Sequence, residues 1–347
     1  MKLVEWYQKQ QRPLPWRKNR DPYRVWISEI MLQQTRVDTV IPYYERFLKS
    51  FPNVKALARA EVDEVLRHWS GLGYYQRARQ LHRAAKMVVE QCNGKIPSDK
   101  EKIRMLPGIG AYTAGAILSI AFGKPEPIVD GNVIRVLTRL QAMSGNPKTE
   151  PTQTRLWKEA EKWVKQGEPG TVNQALMELG AMVCSPQNPS CLICPLMKEC
   201  KAYKQGAVEK YPELPERKKA KNVQISAALI TSKGRLLFVR RAARRHLESM
   251  WEFPQVEGGL RPLQKLLQLS GALRPLKAVR HSIMDRKIEC TPFLCPENSK
   301  VKKVKEYTEW KWVTLTDLER FPTSSLNKKI LKCYIETVSP GITPFSV

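Results

Sequence analysis

Apolar residues recur at helical spacing over residues 1–205, and the grammar then turns to strands. Asp21-Pro22 predicts a helix start, with Asp as N-cap and Pro in the first turn. Tyr23, Trp26, Ile27, Ile30 and Met31 follow at helical spacing and predict one buried face. Further helices are predicted near 61–69, 76–91, 111–122, 132–141, 152–166 and 171–183, with Gly, Pro and Asn clusters between them. The opening residues Met1-Lys2-Leu3-Val4-Glu5-Trp6 enter a helical pattern at once, leaving no room for a targeting peptide. A polar, Pro-broken stretch, Tyr211-Pro212-Glu213-Leu214-Pro215-Glu216 and Arg217-Lys218-Lys219-Ala220-Lys221, reads as a linker. Beyond it, Gln224–Thr231 and Arg235–Arg240 read as strands around a Ser232-Lys233-Gly234 turn. A helix near 262–270, strands near 276–295 and 309–313, and a last helix near 324–336 complete an α+β pattern. The expected organisation is a helical domain over 1–205, a linker over 206–222 and an α+β domain over 223–347.

The chain of 347 residues is long enough for two domains with cores of their own. No apolar run is long enough to span a bilayer. The formal net charge of +26 predicts a polyanionic partner, since each phosphate contact releases counterions. Charge alone does not separate nucleic acid from an anionic membrane surface. No strongly amphipathic, Lys-rich terminal helix marks a membrane anchor, however. A reducing, cytoplasmic setting is expected.

Four of the eight cysteines are clustered: Cys184, Cys191, Cys194 and Cys200, spaced C-x6-C-x2-C-x5-C. Four thiolates in one short segment suit a single metal centre, and sulfur selects zinc or an iron–sulfur cluster. Zinc usually takes paired C-x(2–4)-C knuckles, and ferredoxin spacings differ from this one. Two disulfides or four buried thiols are the other readings, and a reducing compartment disfavours the first. Cys92, Cys290, Cys295 and Cys333 are dispersed and read as small core or surface residues.

Leu106-Pro107-Gly108-Ile109-Gly110 precedes the predicted helix from Ala111 to Phe122. Glycines at 108 and 110 let backbone N–H groups face an anion, which makes a phosphate seat; a helix–helix turn without a ligand fits the same residues. Ile128-Val129-Asp130-Gly131-Asn132-Val133 then opens another helix.

The order L-P-G-I-G, V-D-G-N-V and four cysteines resembles the helix-hairpin-helix DNA glycosylase superfamily with its [4Fe–4S] loop, here over 184–200. Within it the chain is similar to adenine DNA glycosylases of the MutY type. The matching segments are Leu14-Pro15-Trp16-Arg17, Ser28-Glu29-Ile30-Met31-Leu32-Gln33-Gln34-Thr35, Gly71-Leu72-Gly73-Tyr74-Tyr75 and Asn173-Gln174-Ala175-Leu176-Met177. The resemblance implies an all-α helix-hairpin-helix glycosylase domain followed by an α+β Nudix-like domain. It implies a monomer, associated with the nucleoid, that excises adenine mispaired with 8-oxoguanine or guanine in double-stranded DNA.

Breaking a purine N-glycosidic bond requires a proton for the departing base and an anion opposite the developing sugar cation, which two carboxylates in contrasting environments supply. Glu29 lies off the main core stripe of its helix, beside Val25 and Leu32, and among apolar groups it would keep its proton to higher pH. From spacing alone it is equally a surface Glu held by Arg36 or solvent. By resemblance it protonates adenine N7 and later helps activate water. Asp130 reads as an N-cap, and helix N–H donors are expected to keep it ionised. The resemblance makes it the group that stabilises the oxocarbenium ion, with Asn132 as an orienting partner. Tyr112 stands where glycosylases that also nick the strand carry a Schiff-base Lys, so a monofunctional enzyme is expected. Trp16, Arg17, Leu32, Gln174 and Met177 match positions lining the adenine pocket. Gln34 and Tyr74 match residues inserted beside the opposing base, and Lys198 and Lys201 flank the cysteine loop as phosphate contacts. Each has an ordinary core or surface role as its bland alternative.

In the second domain Trp251-Glu252-Phe253-Pro254 resembles Nudix hydrolases, but the catalytic box G-x5-E-x7-R-E-x2-E-E-x-G is absent, so no pyrophosphatase activity is expected. Related glycosylases often read the lesion with a Phe-Ser-His loop. Ile283, Met284 and Asp285 stand there, and His281-Ser282 is the candidate substitute. A bifunctional glycosylase/lyase, a non-catalytic iron–sulfur DNA-binding protein and a Nudix-type nucleotide hydrolase are the alternative functions.

Overall fold

A computed structural model describes residues 1–216, 219–242, 250–283 and 285–338. Its helices up to the linker are α1 Lys2–Gln10, α2 Pro22–Leu32, α3 Val37–Ser50, α4 Val54–Arg59, α5 Val62–Trp69, α6 Gln76–Gln91, α7 Lys100–Arg104, α8 Ala111–Phe122, α9 Gly131–Gln141, α10 Thr152–Val164, α11 Pro169–Met182 and α12 Lys201–Lys204. The hydrophobic periodicity locates most of them to within two residues. Asp21 caps α2 as expected, its Oδ1 accepting from the Arg24 N–H at 2.8 Å. The stripe Tyr23, Trp26, Ile27, Ile30 and Met31 is buried. Two compact units emerge. One comprises Met1–Ala60 and Gln76–Glu216. The segment Glu61–Tyr75, inside the region read as the first domain, clusters instead with the residues after 216.

In the first unit α2 packs against α3 and α8, and α11 packs against α1, α8 and α9. The four helices that carry the candidate chemistry are thus linked in series, α2 on α8, α8 on α11 and α11 on α9. Gly180 makes this possible: a Cβ built on it would lie 2.6 Å from Asn132 Cβ, so only glycine lets α11 approach the start of α9 this closely. Gly108 has φ +80°, the left-handed backbone that the hairpin before α8 requires. Gly110 caps α8, with nothing within 4 Å of the position a Cβ would take.

In the second unit the described strands are β1 Lys221–Leu229, β2 Thr231–Ser232, β3 Arg235–Arg241, β4 Trp251–Glu252, β5 Gln255–Glu257, β6 Arg274–Pro275, β7 Val279–Ile283, β8 Arg286–Leu294 and β9 Tyr307–Val313. Helix α13, Leu260–Leu267, follows β5, and α14, Ser325–Val338, closes the described chain. One sheet runs β5-β1-β8-β6 with β7 also on β8, and the other runs β2-β3-β4 with β9 on β3. Strands β1 and β8 are parallel, and Ile225 opposes Cys290. Phe238, Trp251, Phe253 and Ile330 fill one of the unit's apolar clusters. Residues 276–295, read as strand, divide into β6's successor β7 and β8, with Met284 between them outside the described residues. The linker residues Arg217 and Lys218 also lie outside them.

Candidate active site

Glu29 sits in the last turns of α2 and is only 5 % exposed. The surface reading of this residue is therefore incorrect: the wide apolar face of α2 takes it in with Val25 and Ile30. Its Oε2 accepts from the Tyr112 hydroxyl on α8 at 2.6 Å, and that hydroxyl also lies 3.5 Å from Met177 Sδ on α11. Burial pushes the Glu29 carboxyl up to about 7; the Tyr112 bond and Arg17 pull it down, and the negative charge of Asp130 adds to the rise.

Asp130 caps α9, with Oδ1 accepting from Val133 N–H at 2.7 Å and Oδ2 from Asn132 Nδ2 at 3.1 Å. The two donors pull Asp130 toward its anion while burial works against them. Burial raises its carboxyl above the usual Asp range, and the Val133 and Asn132 donors and Arg135 offset only part of that. The two carboxyls thus share one site, each held above its ordinary value. Tyr112 is also raised, by burial and then by both carboxylates, so it stays a proton donor.

These groups line a single open cavity of about 470 Å³, within the size range of small-molecule sites. Trp16, Arg17, Leu32, Gln34, Gln174 and Met177 line it as well. Every residue nominated for catalysis or for the adenine pocket therefore meets there. Tyr74 belongs to the other unit, where it is 41 % exposed with φ 48°, while Tyr75 is buried. His281 and Ser282 lie on β7 opposite Ile288 and Lys287, also in that unit. Burial and the Lys329 charge lower the His281 imidazolium.

Glu178 was missed by sequence reasoning. It is 1 % exposed and accepts from Arg12 Nε and Nη2 at 2.9 and 2.8 Å and from Arg17 Nη1 and Nη2 at 3.0 and 2.8 Å. Burial alone would raise it, but the two guanidiniums hold it down to about 2. It fixes Arg17, and with it Arg12, at the cavity wall. A Glu one residue after a pocket-matched Met was the available signal.

Cys184, Cys191, Cys194 and Cys200 line a second, apolar-walled cavity with Val136, Leu179 and Leu196. Among the described residues no three His, Cys, Asp or Glu side chains form a ready chelate for one ion. All four cysteines line that one cavity, and their sulfurs are donors of the kind that suit a thiolate-bound metal centre. Arg139, 2 % exposed, approaches Cys184 Sγ at 3.3 Å and donates to the Ser185 carbonyl at 2.7 Å, placing a buried cation beside the sulfurs. Burial and repulsion from neighbouring sulfurs raise the Cys191, Cys194 and Cys200 thiols, Cys194 to about 11. A bound cationic metal reverses that preference. Lys198 and Lys201 are exposed beside this loop.

Two family models match the chain: HhH-GPD superfamily base excision DNA repair protein over residues 27–162, and NUDIX domain over residues 226–333. The chain is 46 % identical over 226 residues to an adenine DNA glycosylase of Rattus norvegicus, covering 62 % of the chain and 44 % of that protein. It is 40 % identical over 296 residues to the one of Arabidopsis thaliana, covering 74 % and 47 %. It thus spans about half the length of these curated relatives. Among solved structures it is similar to a thermostable thymine-DNA glycosylase, at 31 % identity and TM-score 0.54, over 59 % of this chain and 94 % of that one. No helix among the described residues is long and apolar enough to cross a membrane.

Proposed function

This chain belongs to the HhH-GPD superfamily of base excision DNA repair proteins, on the branch of the adenine DNA glycosylases, and from that premise we propose that it is a monofunctional glycosylase excising adenine mispaired with 8-oxoguanine or guanine. The observation that carries the reading is the meeting of Glu29 and Asp130 in one cavity, with Glu29 held near neutrality.

Adenine extruded from the duplex enters the space among Trp16, Arg17, Leu32, Gln174 and Met177. Glu29, with its carboxyl pushed up to about 7, gives its proton to N7. The C1′–N9 bond breaks and its electron pair leaves with the base. Asp130, drawn toward its anion by the Val133 and Asn132 donors and the Arg135 charge, faces the sugar cation and captures C1′. Water activated by Glu29 then releases the abasic sugar with retained configuration. Asn132 holds Asp130 in place at 3.1 Å. Tyr112, a phenol hydrogen-bonded to Glu29, offers no amine for a Schiff base, which weighs against lyase chemistry. Gly108 and Gly110 are assigned to phosphate contact, and Gln34 and Tyr74 to the hole left by the base.

Cys184, Cys191, Cys194 and Cys200 are assigned to a [4Fe–4S] cluster. When bound, it supplies a four-point cross-link of the loop that carries Lys198. His281 and Ser282 are assigned to the base opposite adenine, in a Nudix-like module. A monomer working in the cytoplasm on nucleoid DNA, with 206–222 as linker, completes the proposal.

Duplexes with adenine opposite 8-oxoguanine, guanine, cytosine and thymine test it. Strand scission after alkali in the first two is expected. Scission without alkali would favour a bifunctional enzyme, and no scission in any duplex would overturn the reading.

A further inference from the structure

Helix α2 carries Glu29 and ends without a glycine cap. Its C-cap, Gln33, has extended backbone (φ −56°, ψ 112°), and Gln34 follows in the left-handed region at φ 58°. The last carbonyls of a helix lack partners within it. Here the Thr35 N–H donates to the Leu32 carbonyl at 3.3 Å, and one side chain partners the carbonyls of Ile30 and Met31 and of the C-cap Gln33. Arg77, near the start of α6, donates through Nη1 to the carbonyls of Ile30 at 2.8 Å, Met31 at 2.9 Å and Gln33, and through Nη2 to Thr35 Oγ1 at 3.1 Å. The acceptors bracket Gln34 on both sides. A guanidinium at this end also places positive charge where helix carbonyls accumulate negative potential. Gln33 adds a second tether, its Nε2 reaching Thr113 Oγ1 at 3.2 Å on the helix that bears Tyr112.

A non-glycine residue in left-handed backbone persists only where its surroundings over-determine it. Gln34 is exposed, so its own side chain does not impose that conformation. We propose that Arg77 is a positioning residue for base extrusion: it sets the Gln33–Thr35 turn so that Gln34 stands at the rim of the cavity, ready to replace the displaced adenine. The inference rests on the glycosylase reading and deepens it. Arg77 touches neither carboxylate by any of these bonds, so its effect falls on delivery of the base and not on bond cleavage. A single Lys ammonium does not reproduce the fork that spans three carbonyls and a hydroxyl.

The test compares two substrates in single turnover: adenine paired opposite 8-oxoguanine, and adenine opposite an abasic-site analogue, where no pair must be broken. R77A is expected to slow the paired substrate on the order of 100-fold, the scale of an ångström misplacement, and the unpaired one by no more than about threefold. Equal loss on both substrates, or no loss on either, overturns the proposal. Should R77A lose its helical circular dichroism, R77K carries the same comparison, with a smaller split in the same direction expected and equal loss again contradicting it. Wild-type protein that excises from neither substrate sinks the glycosylase reading itself, a result distinct from either R77A outcome.

Discussion

The Tyr112 hydroxyl donates to Glu29 Oε2 at 2.6 Å across 83 residues of sequence, and this bond opposes the burial that otherwise keeps the carboxyl protonated. The pair sets the proton affinity of the group assigned to attack N7. If Glu29 must be protonated, excision falls as pH rises through about 7. Y112F removes a bond that lowers Glu29, so its alkaline limb should move to higher pH. Single-turnover rates across pH check this, and an unmoved or downward-shifted limb contradicts it.

The same burial has a price in stability. Glu29 is raised in the folded state, so the wild type is favoured below the unfolded value near 4.5 and loses that contribution as pH rises through about 7. E29Q, neutral throughout, should therefore be more stable than wild type at pH 8 by up to about 3 kcal/mol, and should gain almost nothing at pH 4. Denaturant melts at the two pH values measure it. A uniform gain, or one larger in acid, speaks against a strained carboxylate.

Gly180 lies against Asn132 so closely that G180A places a methyl group 2.6 Å from its Cβ and 2.9 Å from its Cα. The start of α9, with Asp130 as its cap, must shift. A stability loss of about 1–3 kcal/mol is expected, with a much larger fractional loss of excision. Comparable activity to wild type would show that the Asp130 position tolerates displacement.

If the four cysteines hold a [4Fe–4S] cluster, the purified protein is brown and carries about four iron atoms per chain. C200S should lose colour and iron and melt at lower temperature. A colourless wild-type protein with one zinc would contradict the assignment.

Periodicity placed α2, α6 and α8 because their apolar faces repeat without interruption. It gave no separate notice of α3, whose pattern carries a proline, Pro42, inside a continuous helix, although Val40, Tyr44 and Phe47 bury one face. Glu29 was nominated by its motif, but its burial was not legible: a lone carboxylate beside an apolar stripe looks alike whether a neighbouring helix covers it or water does. Beyond the adjacency of Glu178 to Met177, the roles of Glu178 and Arg77 were not legible, because their partners, Arg12 and the α2 carbonyls, lie 166 and about 46 residues away and are joined only by the fold. Asp130 was read correctly as a cap, but burial, which no spacing reveals, decides its proton affinity.

The most direct test of the central claim is the single-turnover rate of adenine excision from an A:8-oxoguanine duplex by wild type, E29Q and D130N, with binding to the same duplex measured alongside. E29Q is expected to slow excision by about 10²–10⁴-fold and D130N by at least about 10²–10³-fold, both with near-wild-type affinity. Full excision by either variant would contradict the assignment of this cavity as the place where the bond is broken.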